Sequence, residues 1–110
     1  IINVSSVAGL VGTAFMSAYN MTKGGVRLFT KSVAHECGML GNGVRVNSVH
    51  PGFIETDMLP QGIESTIANQ VPMQRTADAK EVGEVVMFLL GEAASYVNGA
   101  EIIVDGGFIA

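Results

Sequence analysis

The run Ile1-Ile2-Asn3-Val4 is apolar, short and bounded by Ser5-Ser6, which predicts the end of a buried strand. Val7 to Met16 holds Gly9 and Gly12 and reads as a loop. From Ser17 the period changes: Val26, Phe29, Val33 and Cys37 fall at helical spacing and are expected to pack inward. They predict a helix with Ser17 as N-cap, running to about Cys37, with Gly38 as its C-terminal glycine. Gly41-Asn42-Gly43 predicts a turn, followed by a strand from Val44 to Val49 that Pro51-Gly52 stops. Phe53 to Pro72 has weak periodicity, with Ile63 and Ile67 on a short helix, and a segment of that kind suits a lid. Asp78 and Glu81 have capping-box spacing. Val82, Val85, Val86 and Leu89 then follow the i, i+3, i+4, i+7 template of a helix that Gly91 closes. Asn98-Gly99 turns into a last strand, Ala100 to Val104, ended by Asp105-Gly106-Gly107.

The order strand, helix, strand, helix, strand implies an α/β fold with parallel strands and right-handed crossovers. In such sheets ligands gather at the carboxyl ends of the strands. Three polar or glycine-rich groups fall there: Ser5-Ser6, Pro51-Gly52 and Asp105-Gly106-Gly107. The chain's 110 residues suffice for one core but not two. Hydrophobic residues make up 48% and charged residues 15%, which excludes a disordered chain. The net charge of −4, with few and scattered basic residues, argues against nucleic acid as the main partner. A single cysteine excludes an internal disulfide, and nothing points to an oxidising compartment, so a cytoplasmic location is expected. No apolar run approaches transmembrane length, and the first residues do not read as a signal or transit segment. The opening Ile1-Ile2-Asn3-Val4 reads as if cut inside a strand, and the chain is expected to be a fragment of a larger protein.

Tyr19 and Lys23, four residues apart on the first long helix, share one face. A free phenol has a pKa near ~10, and a neighbouring ammonium favours its phenolate, the adjustment a proton-transferring tyrosine needs. Tyr-x-x-x-Lys alone is a weak signal, but Ser6 at the end of the first strand is expected to converge on the same cleft. Its hydroxyl is then placed to bind a substrate oxygen while Tyr19 gives or takes the proton. Lys31 and His35 continue the row from Tyr19 but drift about 40° per step of four and read as solvated. His35, Cys37 and His50 do not form a metal set: His35 and Cys37 point to different helix faces, and packing or surface placement is expected for all three. Asp105-Gly106-Gly107 reads as a turn near a subunit contact in preference to a catalytic acid. Met16, Met58, Leu59 and Met73 lie in loops that would cover a substrate, where adaptable thioether walls suit bulky apolar molecules; ordinary core filling is the alternative.

Several motifs occur together and in order: Asn3-Val4-Ser5-Ser6, Tyr19-Asn20-Met21-Thr22-Lys23, Val44-Arg45-Val46-Asn47, Pro51-Gly52-Phe53-Ile54-Glu55-Thr56, Asn98-Gly99 and Val104-Asp105-Gly106-Gly107. With Ser6 thirteen positions before Tyr19, the chain resembles the short-chain dehydrogenase/reductase family over essentially its whole length. The resemblance implies the C-terminal half of a doubly wound, Rossmann-like parallel-sheet domain. It implies an oxidoreductase moving a hydride between NAD or NADP and a secondary alcohol or ketone, alcohol- and hydroxysteroid-dehydrogenase-like. Tyr19 is then the general acid/base. Lys23 binds the nicotinamide ribose hydroxyls and favours the tyrosine's phenolate, and Ser6 hydrogen-bonds the substrate oxygen. Pro51, Gly52, Ile54 and Thr56 line the nicotinamide, and Met16 and Met58 contact substrate.

The family's glycine-rich pyrophosphate turn, the residue that selects NAD or NADP and a catalytic asparagine are not found in these residues. Gly9 and Gly12 do not make a dinucleotide fingerprint. The cofactor choice is therefore set elsewhere, with NAD the preferred reading, and the chain alone is expected to bind cofactor poorly. It is also expected to aggregate through an exposed strand edge. Related enzymes pair through the long helix and through the last helix and strand, so a homo-oligomer, dimer or tetramer, is implied. Two alternatives are a 3-oxoacyl-thioester reductase of the same family and a non-catalytic assembly piece.

Overall fold

The computed structural model describes residues 1–59 and 62–110. Three strands, β1 (Ile2–Val4), β2 (Asn47–Pro51) and β5 (Glu101–Val104), form a parallel sheet in the order β1-β2-β5. Asn3 lies opposite Ser48, which lies opposite Glu101, while Val4, Val49 and Ile102 form the next row. Because side chains alternate along a strand, this register gives the sheet two unlike faces. One face presents Ile2, Val49, Ile102 and Val104 and packs on α3 (Ala79–Leu90) through Val82, Val85, Val86 and the fully buried Leu89. The other presents Asn3, Ser48, His50 and Glu101 to α1 (Ser17–Leu40). Helices thus cover both faces, as in a doubly wound fold.

The polar face explains how α1 departs from the expected packing. Phe29, expected inside, is 62% exposed, and Thr30 and Ala34 are buried in its place. Thr30 suits this face because its hydroxyl donates to Val26 O (2.7 Å) and accepts from Asn3 Nδ2 (2.9 Å). Lys31 is not simply solvated: with Arg27 it holds the Glu101 carboxylate, at 3.2 and 2.6 Å. Arg27, through its hydrogen bond, is the main reason the Glu101 carboxyl sits below its ordinary value. His35 is exposed, as expected.

Both helix ends also differ from expectation. Ser17 is the first helical residue, and the cap position falls on Met16, which has no side-chain bond to offer. Phe15 before it takes a left-handed φ of 64° with its ring fully exposed, an uncommon conformation for a bulky residue. At the other end the helix passes through Gly38 and stops at Gly41, whose φ of 61° makes it the left-handed cap. Asn98 fastens these last turns, donating to Ala34 O (3.0 Å). Its Oδ1 accepts from Val46 N–H (2.8 Å), so Val44 to Val46 stay out of the ladder and β2 starts at Asn47 instead of Val44.

Between β2 and α3 the chain makes an excursion. It leaves through β3 (Ile54–Glu55) and returns through β4 (Ala77–Asp78), two short strands that pair in parallel. Thr76 Oγ1 donates to Glu55 Oε1 (2.6 Å) beside this pair. The expected short helix is α2 (Glu64–Ala68), with Ile67 buried and Ile63 at the cap position. The expected lid from Phe53 to Pro72 includes Pro60 and Gln61, which lie outside the described residues. The capping box of α3 forms as the sequence predicts: Asp78 accepts from Lys80 N, and Glu81 accepts from Asp78 N (2.9 Å). Gly91 ends the helix in extended conformation.

Candidate active site

The carboxyl ends of the three strands meet as expected. A Cβ on Gly52 would lie 2.7 Å from Asp105 Cβ, so the chain ends leaving β2 and β5 pass too closely for any other residue. The Asp105 carboxylate accepts from Gly107 N (2.8 Å) and Ile109 N (2.9 Å), so its job is to shape a turn. That turn seats the end of the excursion: Met73 N donates to Gly106 O (3.2 Å), and Pro72 packs over Gly107. Phe53 meets Phe108 edge to face, with ring centres 4.9 Å apart.

Ser6 follows β1 and opens a 3-10 turn, Val7–Gly9. Its Oγ accepts from Ala8 N–H (3.1 Å), and its carbonyl accepts from Gly9 N–H (2.9 Å). The local backbone thus uses Ser6 oxygen as an acceptor and leaves the hydroxyl proton without a protein partner among the described residues. A hydroxyl held in this way is ready to donate.

Tyr19 and Lys23 come together one helical turn apart. Lys23 Nζ stands 5.7 Å from the Tyr19 ring centre and donates to Val4 O (3.2 Å), at the end of β1. Tyr19 is half-buried and its hydroxyl bonds no described residue. Further bonds tie this helical turn to the Ser6 loop. Ser5 Oγ donates to Lys23 O (2.8 Å), and Asn20 Nδ2 donates to Ala8 O (2.6 Å) and Val11 O (2.8 Å). Gly9 sits against the helix backbone, where a Cβ would lie 2.7 Å from Lys23 O. The two carbonyls around Asn20 demand a two-donor group, which fixes the amide's orientation and leaves its buried Oδ1 without a partner among the described residues.

The remaining expected residues are less closely drawn in. Pro51 ends β2 and Ile54 begins β3, both half-buried, while Thr56 is exposed and its hydroxyl bonds no described residue. Met16, Met58 and Met73 are 42, 83 and 60% exposed, so core filling is not their role. Leu59 is half-buried. Of three clefts of about 680, 340 and 250 Å³, the first is lined by Cys37, Arg45 and Tyr96 near the opposite ends of the strands, and the second by Met73 with Phe53 and Asp105-Gly106-Gly107. Ser6, Tyr19 and Lys23, all half-buried, line none of those three clefts. Among the described residues no group of three or more His, Cys, Asp or Glu side chains is placed to hold a metal. None of their helices is long and apolar enough to cross a membrane.

Sequence reasoning missed the braces: Ser5, Gly9, Asn20 and His50. His50, fully buried on β2, directs Nδ1 at Ser6 O (3.1 Å) and Nε2 at Ser48 Oγ (2.8 Å). Burial holds its imidazole below the ordinary histidine value, outweighing the Ser6 bond that pulls the other way. A polar residue on a strand just before Pro-Gly is the signal that could have singled it out.

The donor set suits the nicotinamide-ribose end of a dinucleotide. Lys23 Nζ commits one of its three N–H groups to Val4 O, and the Tyr19 and Thr56 hydroxyls stay uncommitted. A family model described as enoyl-(acyl carrier protein) reductase matches residues 1–109. The chain is 43% identical over 115 residues to cyclopentanol dehydrogenase of Comamonas testosteroni, covering all of this chain and 45% of that one. It is 41% identical over 110 residues to the 3-oxoacyl-(acyl-carrier-protein) reductase FabG of Pseudomonas aeruginosa, covering 97% and 44%. Among solved structures, 4-hydroxyisoleucine dehydrogenase complexed with NADH superposes with a TM-score of 0.90 at 26% identity, over 99% of this chain and 46% of that one. The chain thus spans a little under half the length of the curated relatives it matches. Its matching motifs, its doubly wound sheet and these likenesses agree: the chain belongs to the short-chain dehydrogenase/reductase family.

Proposed function

We propose that these residues work as the C-terminal half of a single dehydrogenase/reductase domain that interconverts a secondary alcohol and a ketone with NAD or NADP. The observation that carries this reading is the Lys23 ammonium over the Tyr19 ring, on a helical turn bonded to the loop that leaves the Ser6 proton unclaimed. The nicotinamide, when bound, supplies or accepts the hydride. Ser6 donates a hydrogen bond to the substrate oxygen and keeps its own proton, holding that oxygen in place. Tyr19 gives its phenolic proton to the same oxygen in reduction and takes it back in oxidation. Lys23 holds the ribose hydroxyls with its remaining N–H groups and keeps a positive charge beside the phenol. Pro51, Gly52, Ile54 and Thr56 form the nicotinamide side of the site, and Met16 and Met58 the substrate side, where exposed thioethers adapt to apolar rings.

Relatives named for both secondary alcohols and 3-oxoacyl thioesters keep a second reading in play, a 3-oxoacyl-thioester reductase. Steady-state assays of the full-length oxidoreductase on cyclic secondary alcohols and on 3-oxoacyl thioesters, each with both cofactors, decide between them. Tyr19→Phe is expected to lower kcat by roughly 10²–10⁴-fold. A variant that keeps its turnover overturns the mechanism. Titration of the 110-residue chain with NADH and NADPH is expected to give weak binding at most; tight binding would show that it needs no second half.

The exposed apolar residues support self-association in the full-length protein. Met21, Leu28 and Phe29 line α1, while Met87, Phe88 and Ile103 lie on α3 and β5. Sedimentation is expected to give a dimer or tetramer, and a monomer would remove this part of the reading.

A further inference from the structure

We propose that His50 is a positioning residue for Ser6, acting as the neutral tautomer that carries its proton on Nδ1. This rests on the function proposed above for Ser6 and names a residue that fixes it. His50 lies on β2 and Ser6 on the loop after β1, so the imidazole bridges two chain segments 44 residues apart. Ser6 O is a carbonyl and can only accept, so the nitrogen facing it at 3.1 Å must carry the proton. Nε2 is then an acceptor in the neutral ring, and Ser48 Oγ–H donates to it at 2.8 Å. Ser48 has a second acceptor in Ala100 O at 3.4 Å, a poorer bond to which it can turn when Nε2 is protonated. Burial favours the neutral ring. The charges that bear on it, Glu101 from β5 and Arg27 and Lys31 from α1, belong to one mutually paired cluster.

The consequence for Ser6 is a three-point hold. Its Oγ is fixed by Ala8 N–H, its carbonyl by Gly9 N–H from within the loop, and the same carbonyl by His50 from the sheet. Of these three bonds, only the last ties Ser6 itself to β2, where the nicotinamide side of the site begins at Pro51-Gly52; the residue before it is anchored separately, Ser5 N–H donating to Val49 O (2.8 Å). The bonds of Ser5 and Asn20 still hold the flanks of the 3-10 turn, so loss of the His50 bond frees the Ser6 peptide alone to tilt, which redirects its hydroxyl.

Removing the imidazole leaves no abandoned buried group. Ser6 O keeps Gly9 N–H, and Ser48 keeps Ala100 O, so His50→Leu is expected to fold. Asparagine carries its amide nitrogen on Cγ, where histidine carries Nδ1, and so preserves the donor. In the full-length oxidoreductase, His50→Leu is expected to lose up to roughly 10²-fold in kcat with the KM for cofactor unchanged, and His50→Asn to recover most of it. Equal losses in both variants, or no loss in either, overturn the proposal. Nitrogen-15 spectra of the unmodified protein give a readout independent of turnover: a protonated Nδ1 and a bare Nε2 are expected, and the opposite tautomer overturns the proposal. Tyr19→Phe runs alongside. If it leaves kcat intact, the dehydrogenase reading fails; if it abolishes turnover while His50→Leu does not, the positioning role alone fails.

Discussion

Gly9→Ala tests the contact that sets the distance between the Ser6 loop and the helix bearing Tyr19 and Lys23. The added Cβ would lie 2.7 Å from Lys23 O, 2.8 Å from Lys23 C and 2.8 Å from Ser5 Oγ. Two of those three atoms are helix backbone and cannot swing aside. Relief requires loop and helix to part by roughly 0.5–1 Å, toward ordinary contact distance. Overpacking of this kind costs about 1–3 kcal/mol. The alanine also restricts the unfolded chain, which returns about 0.4–1 kcal/mol. The net expectation is a loss of about 1–2 kcal/mol, a fall of a few degrees in melting temperature for a chain of about 150–250 residues.

Activity should suffer more than stability. The forced separation strains the Ser5 bond to Lys23 O and the Asn20 bond to Ala8 O, both of which span the same gap. A displacement near 1 Å at a proton-transfer site costs up to roughly 10²-fold in kcat. Thermal denaturation with steady-state kinetics on the full-length oxidoreductase measures both effects. Gly25→Ala is the control, since a Cβ there meets nothing within 4 Å. On propensity alone it should stabilise α1 by about 0.5–1 kcal/mol and leave kcat unchanged. If Gly9→Ala behaves like Gly25→Ala, the close approach does not govern the site.

Two further outcomes follow from the ion pairs. Glu101→Gln removes the partner of Arg27 and Lys31 and is expected to cost about 1 kcal/mol at neutral pH. Because the folded-state value of Glu101 lies below its ordinary 4.5, that contribution is complete above 4.5 and disappears as pH falls through the lower value. Denaturation curves of the two proteins should therefore converge in acid, and a gap that persists would refute the ion-pair account. Glu81 is held at about 2, first by its bond from Arg75 and then by Asp78 N–H. The Glu81 half of the α3 capping box should accordingly persist well below the usual carboxylate range and weaken as pH falls through about 2, which helix-resolved hydrogen exchange at Asp78 N–H can follow. Asp78→Ala, which removes the cap itself, should cost roughly 1 kcal/mol in the same denaturation assay.

What the sequence made legible was whatever depends on period and end signals. The Asp78-Glu81 box and the row from Val82 to Leu89 depend on local rules, and α3 appears where those rules put it. The misplaced residues share a different cause. Phe29 was expected inside because an apolar residue at helical spacing usually is, but the sheet face that α1 meets carries Asn3, Ser48, His50 and Glu101. Which face of β2 lies under which helix is decided by pairing between strands 45 residues apart, and no local window contains it. The end of α1 at Gly41 instead of Gly38 has the same origin, since Asn98, sixty-four residues from Ala34, holds the last turns helical. At the site, Tyr19 and Lys23 were legible because one helix holds both. His50, Ser5 and Gly9 were not, because each acts across a gap between segments.

The braces fall on one side of the site only, and that asymmetry has a chemical use. Lys23, Ser5, Asn20 and His50 all bond backbone carbonyls, which do not move without moving a whole element. On the proposed mechanism, the groups that would move the proton sit on backbone already fixed in place, which keeps reorganisation out of the reacting step. On the substrate side, Met16, Met58 and Met73 stand exposed on unbranched side chains that change shape at little cost. A fold built this way keeps one reaction geometry fixed while letting the surrounding wall follow the substrate. That division is consistent with close likeness to relatives named for molecules as different as cyclopentanol and a 3-oxoacyl thioester. Under the proposed function, Met16 before α1 and Met58 and Met73 on the excursion between β3 and β4 would set specificity, whereas the loop after β1 and the first turns of α1 would set the reaction.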